Sequence, residues 1–201
     1  HAKVEQQLHD RLAHLKRQPG GLKGLIIDLR NNSGGYLNQA IAVSDTFLEE
    51  GVIVSTVDGN NRVREREEAR SRGTEPRYPI AVLVNAGSAS ASEIVAGALR
   101  NQERAVIIGE RTFGKGSVQN LYPFYDDSKL KLTISKYLTP HDRSIQSVGI
   151  PADIELVPTV IDQPEDEATG DAYDVALMYW RERVRREADL DQHLEQTTLR
   201  V

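Results

Sequence analysis

Three short apolar runs each end in a polar, glycine-bearing turn. Leu22 to Leu29, with Leu25-Ile26-Ile27 at its centre, leads into Arg30-Asn31-Asn32-Ser33-Gly34-Gly35. Ile80 to Val84 leads into Asn85-Ala86-Gly87-Ser88-Ala89-Ser90-Ala91-Ser92-Glu93. Ala105 to Ile108 leads into Gly109 to Gln119, which contains Lys115 between Gly114 and Gly116. Runs of this length are buried strands, and helical patterns lie between them, over Leu37 to Glu49 and Ala89 to Leu99. Strands alternating with helices predict an α/β fold with a largely parallel sheet and flanking helices. Such folds put their sites in the turns that follow the strands.

The rest of the chain fits around this frame. Val4, Leu8, Leu12 and Leu15 lie at helix spacing and Pro19-Gly20-Gly21 ends that helix. Val52 to Val57 is β-branched and strand-like, and Arg62 to Arg77 is highly charged, an exposed strand or loop. Ser117 to Tyr122 and Lys129 to Leu138 read as strands, and Pro151 to Pro158 as an extended closing segment. After Pro158 comes an acidic linker, Asp162 to Glu167, then a predicted C-terminal helix over Tyr173 to Leu194. This divides the chain into a core over 1–160 and a linker with helix over 161–201. The helix reads as packed on the core or as an oligomerisation element using Val175, Tyr179 and Trp180.

Composition removes several function classes. With no cysteine there is no thiol nucleophile, thiolate metal site or disulfide framework. A formal net charge of −5 does not favour a nucleic-acid partner, which calls for a basic face. No apolar run is long enough to span a bilayer. The chain opens on His1 and runs straight into helical sequence, as a fragment or processed form does.

A serine where a strand turns into a helix meets unpaired backbone N–H groups and a partial positive charge, which can hold an oxyanion. Ser88, Ser90 and Ser92 all qualify. The competing reading is a capping box, Ser90 with Glu93 three residues on, which starts a helix and does no chemistry. Lys115 weighs against that reading. A lysine flanked by glycines after a buried strand is placed for burial, and to act as a base its pKa must fall from about 10.4 towards about 7. That shift of roughly three units, about 4 kcal/mol, is within what desolvation supplies. A lysine so tuned needs no histidine. Of the five histidines only His141 lies in a loop beside the core strands, and it reads as an exposed turn residue. Gly109 to Ser117 comes within one residue of a phosphate-binding loop. However, Gly116 separates Lys115 from Ser117, and a strand rather than a helix follows.

In order and in register, these segments resemble the carboxyl-terminal processing peptidases, or tail-specific proteases. Leu25 to Gly35 resembles that family's first core signature, Gly87 to Ala98 its serine motif and Gly109 to Gln119 its lysine motif. Arg143-Ser144-Ile145-Gln146 with Gly149 to Ile154 resembles its closing segment, and the likeness covers about residues 4 to 160. The resemblance implies a crotonase- and Clp-protease-like core. It implies Ser90 as nucleophile, Lys115 as general base 25 positions on, and Gln119 as the residue that orients the lysine. It also implies an oxyanion hole from the N–H groups of Gly35 and Ala91, with Tyr36 beside it. The implied reaction is endopeptidase cleavage of polypeptides near their C-termini, with neither metal nor organic cofactor. A periplasmic or otherwise exported bacterial setting is implied as well. The peptide-binding PDZ module that normally precedes such a core is not found in this chain. Two other readings compete: a crotonase-type enzyme acting on acyl thioesters, which leaves Ser90, Lys115 and Gln119 without purpose, and a catalytically silent scaffold.

Overall fold

The computed structural model describes residues 3–156, 160–161, 177–178 and 186–190. Three helices, α1 (Val4–Lys16), α2 (Leu37–Asp45) and α3 (Ala91–Asn101), accompany two main sheets. Strands β1 (Leu25–Asp28), β4 (Ile80–Val84), β5 (Val106–Gly109) and β9 (Ile154–Glu155) form a parallel sheet in the order β1-β4-β5-β9. Strands β2 (Val52–Val57), β3 (Val63–Glu68), β6 (Ser117–Pro123) and β7 (Lys129–Thr139) form an antiparallel sheet in the order β3-β2-β7-β6, and β8 (Arg143–Ser144) also pairs with β7.

The α/β class and the parallel sheet expected from the sequence are present. A second sheet is added to it, in which β2, β3, β6 and β7 all run antiparallel to their neighbours. The charged run that begins at Arg62 supplies β3, whose six residues are all exposed. Its charges suit an edge strand, which they protect from pairing with another chain. Helix α2 ends at Asp45, short of the expected Glu49, because Thr46 to Leu48 leave the helix to bury Phe47 and Leu48 in the core.

Helix α3 is buried all round from Ala91 to Leu99, with Ser92 and Glu93 as its buried polar residues. It packs on α2 and touches β5 of one sheet and β2 and β7 of the other. Ile94, Ala96, Ala98 and Leu99 belong to one core cluster with Val82 and Ile107 from the parallel sheet and Ile53 and Val54 from the antiparallel one. Truncating a residue such as Leu99, which has no exposed surface, costs about 2–5 kcal/mol by transfer and cavity terms together. The Ser90 turn therefore sits at the start of the most firmly packed helix.

Most of the expected C-terminal helix lies outside the described residues, including Val175, Tyr179 and Trp180. Its described parts are not α-helical. Leu177–Met178 pairs as a short strand (β11) with Val160–Ile161 (β10), and Glu187–Asp189 is one 3-10 turn.

Candidate active site

Strands β1, β4 and β5 are adjacent and parallel, so the turns that follow them emerge at the same edge of the sheet. The three glycine-bearing segments singled out in the sequence meet there. The first is stitched to the second by reciprocal amide bonds. Asn31 N–H donates to Asn85 Oδ1 at 2.9 Å, and the Asn85 side chain donates back to Asn31 Oδ1 at 2.9 Å. The Ala89 N–H adds a bond to the Asn32 carbonyl at 2.9 Å. Asp28, at the end of β1, is held by a two-pronged bond from Arg30 at 2.9 and 2.7 Å. That bond holds its carboxyl down at about 2.

The three candidate serines part company in this frame. Ser88 is fully buried, its hydroxyl donating to the Leu29 carbonyl at 2.7 Å and accepting the Asn85 N–H at 3.0 Å. Ser92 is buried one residue into α3. Ser90 is only partly buried, at the N-cap of α3, and its backbone has φ +55 and ψ −116. A non-glycine residue rarely holds that conformation, which costs on the order of 1–3 kcal/mol. Such a turn projects the side chain away from the strand and the helix it joins. The capping box is also present, with Glu93 Oε2 accepting the Ser90 N–H at 2.8 Å.

Gly34 packs directly on this turn. Its φ is +97, and a Cβ built on it lies 2.7 Å from the Ala89 carbonyl oxygen and 2.8 Å from the Ala91 nitrogen. Only glycine accommodates both constraints. The Gly34 N–H donates to Asn32 Oδ1 at 3.0 Å. The next residue, Gly35, is exposed. Ala91 is the first residue of α3, where an N–H has no acceptor within the helix. Tyr36, the N-cap of α2, is exposed beside this loop.

The sequence reading treated Glu93 only as a cap, and the structure gives it a larger part. It is fully buried, and its carboxylate gathers donors from both chemistry-bearing segments. Oε2 accepts the N–H of Ser90 and, at 2.9 Å, that of Lys115. Oε1 accepts the Gly114 N–H at 2.8 Å and the Thr112 hydroxyl. Because they share one acceptor atom, the backbone nitrogens of Ser90 and Lys115 lie within about 6 Å of each other. Burial pushes the Glu93 carboxyl up, and its four donors oppose that shift. Phe113 N–H adds a further tie to the Ser88 carbonyl at 3.0 Å.

Gln146, noted in the sequence only as part of the closing segment, also holds this loop. It is fully buried, and its Oε1 accepts the Gly116 N–H at 3.0 Å. A Cβ on Gly116 lies 2.6 Å from the Gln146 nitrogen, so the glycine after Lys115 is there for the close passage of Ile145 to Gly149. The Gln146 amide donates to Glu187 Oε1 at 3.1 Å, and Glu187 N–H donates to the Phe113 carbonyl at 3.0 Å. The described C-terminal turn thus docks beside the lysine loop. Gln119 stands apart, exposed on β6, its amide reaching Thr133 Oγ1 at 3.4 Å. No hydrogen bond joins Gln119 to Lys115 among the described residues. Lys115 itself is partly buried. His141 is exposed in the turn after β7 and bonds the Asn101 carbonyl at 3.3 Å, at the far end of α3 from Ser90. The segment after Lys115 is β6, a strand, so the phosphate-loop geometry is not built.

A family model described as Peptidase family S41 matches residues 1–156. The chain belongs to peptidase family S41. Among its relatives is a carboxy-terminal-processing protease of Bartonella bacilliformis, 49% identical over 156 residues, covering 78% of this chain and 35% of that protein. A carboxyl-terminal-processing protease of Synechocystis is 43% identical over 145 residues, covering 72% and 32%. Among solved structures, a photosystem II D1 C-terminal processing protease superposes with a TM-score of 0.67 at 34% identity, over 78% of this chain and 40% of that one. A lipoprotein from Streptococcus agalactiae shares the fold, at TM-score 0.60 and 18% identity over 77% of this chain and 57% of that one. This S41 chain spans about a third of the length of the curated relatives it matches.

Proposed function

We propose that this S41 chain carries a Ser–Lys dyad that hydrolyses peptide bonds near the C-termini of polypeptides. The observation that carries the reading is the shared acceptor, Glu93, which holds the backbones of Ser90 and Lys115 side by side at the helix N-terminus. The neutral amine of Lys115 takes the proton from Ser90 Oγ as that oxygen attacks the peptide carbonyl. The oxyanion is received by the N–H groups of Gly35 and Ala91, and α3 contributes the positive end of its dipole. The Gly34 N–H is already spent on Asn32, which favours Gly35 as the donor. The Lys115 ammonium returns its proton to the leaving amine as the carbon–nitrogen bond breaks. Water, deprotonated in turn by Lys115, then attacks the acyl-enzyme and releases a carboxylate and free Ser90. Gln119 orients Lys115 in this scheme only after moving from Thr133, a step that substrate binding next to β6 would drive.

A PDZ module in the longer protein, an exported setting and self-association through the C-terminal segment belong to the same proposal, on the strength of the family alone. A fluorophosphonate probe tests the chemistry. It labels the chain, and labelling disappears in Ser90→Ala. Labelling that persists in Ser90→Ala removes the dyad, and no labelling of the full-length protein favours a silent scaffold.

A further inference from the structure

A cavity of about 330 Å³ opens at the far end of α3 from Ser90. Its wall includes Arg100 from α3, Arg111 from the lysine segment and Arg143 from β8, with Val148, Ile150 and Pro151 as apolar surface. Ser90 caps the first turn of α3 and Arg100 lies in its last, so the helix alone separates the two places by about 15 Å. At its other wall the cavity adjoins the lysine loop, with Gly149 closing on Gly114 and the Ile150 carbonyl accepting the Thr112 N–H at 3.1 Å.

Three guanidiniums line one small cavity in a chain of net charge −5, and their summed positive potential there suits an anion. Two carboxylates compensate part of the charge. Asp153 holds Arg100 at 2.8 Å, and Asp142, also on the cavity wall, faces Arg66 of β3 at 3.7 Å. Arg111 spends one N–H on the Val148 carbonyl at 3.3 Å. Neither Arg111 nor Arg143 has an ion pair among the described residues. The carbonyl end of α3 lends some negative potential, but two unpaired guanidiniums outweigh it. The backbone around the cavity is also held in unusual shapes. His141, Asp142 and Ser147 all have positive φ, at +66, +55 and +62. Strain of this kind persists where the surrounding structure enforces a particular arrangement.

The wall thus combines fork-shaped donors for a planar anion with an apolar floor. A guanidinium pairs with a carboxylate through two parallel bonds, whereas apolar surface beside it favours an aliphatic side chain. We infer that this cavity is a binding site for the terminal carboxylate and aliphatic last residue of a polypeptide, engaged by Arg111 and Arg143. The choice of a polypeptide rests on the peptidase reading above. The site itself anchors a chain end at a distance from the bond that is cut.

Binding is measured on the full chain carrying Ser90→Ala, so that turnover plays no part and a failure here leaves the dyad untouched. The probes are N-acetyl-Ala-Ala-Val as free acid, the same peptide as C-terminal amide, and inorganic phosphate. Isothermal titration gives Kd, and amide shifts of Ser144, Val148 and Gly149 report the place. The free acid is expected to shift those three signals. Its Kd is expected to weaken about tenfold or more in Arg143→Ala and separately in Arg111→Gln, with unfolding temperatures unchanged. Added salt weakens it further. Equal binding of acid and amide, equal binding of phosphate, or an unchanged Kd in both arginine variants overturns the inference. Absence of any shift at those residues does the same.

Discussion

The backbone N–H groups of Ser90 and Lys115 donate to one and the same oxygen, Oε2 of Glu93, at 2.8 and 2.9 Å. Every partner of that carboxylate is a donor, so its position demands a group that only accepts. Glu93→Gln puts an NH₂ among N–H groups and leaves a buried donor unpaired. The expected loss in kcat/KM for peptide cleavage is about 10²-fold, as for a misplacement near 1 Å. A loss of about 1–3 kcal/mol in unfolding free energy accompanies it. Wild-type kcat/KM in this variant would show that the dyad does not depend on the shared acceptor.

The Glu93 carboxyl titrates above its ordinary value of 4.5, because burial disfavours its charge. A raised pKa in the folded state means that stability linked to this group is present below the unfolded value and is lost as pH rises through the folded one. Thr112→Val removes the hydroxyl bond that opposes the shift. The carbon-13 titration midpoint of Glu93 is expected to move further up in that variant. A midpoint that falls contradicts the assignment of the Thr112 hydroxyl as donor.

Gly34→Ala is expected to damage the Ser90 turn. The added Cβ meets backbone at 2.7 and 2.8 Å, and φ +97 is strained for alanine as well. A cost of at least about 1–3 kcal/mol follows, with slower serine-probe labelling. Gly59, whose added Cβ meets nothing within 4 Å, is the control. Gly59→Ala leaves labelling and unfolding temperature where they were, and equal effects at the two positions dispose of the explanation.

Lys115→Ala is expected to abolish hydrolysis while the far-ultraviolet circular dichroism stays native. His141→Ala is expected to keep most of it, since His141 bonds Asn101 at the opposite end of α3. Loss of activity in His141→Ala with retention in Lys115→Ala would point to a triad instead.

Much of the candidate site could be read from the sequence because its features are local. The glycines at 34 and 116, the serine before a helix and the lysine after a strand each leave a mark within a few residues. Gln119 was implied by the family resemblance, and in the structure its amide reaches Thr133 Oγ1. A bulge between Val118 and Gln119 shifts the register there, and spacing along the chain does not record a bulge. Glu93 was read correctly as the third residue of a capping box, but its second set of partners comes from residues 112–115. The antiparallel pairing of β2 with β7 escaped for the same reason, since alternation shows that a strand has two faces and not which strand lies beside it.

Sequence alone determined which segments become strands and helices, and which turns carry a hydroxyl, an amine and the glycines they require. Those properties follow from side-chain chemistry and backbone freedom over short spans. Tertiary structure alone decided that the backbone N–H groups of Ser90 and Lys115 share one acceptor, and that Gln146 and Glu93 are what hold the lysine loop. It also decided that three arginines from distant segments share one cavity. Those are contacts between residues far apart in the chain, settled by strand order and by how α3 packs between the sheets.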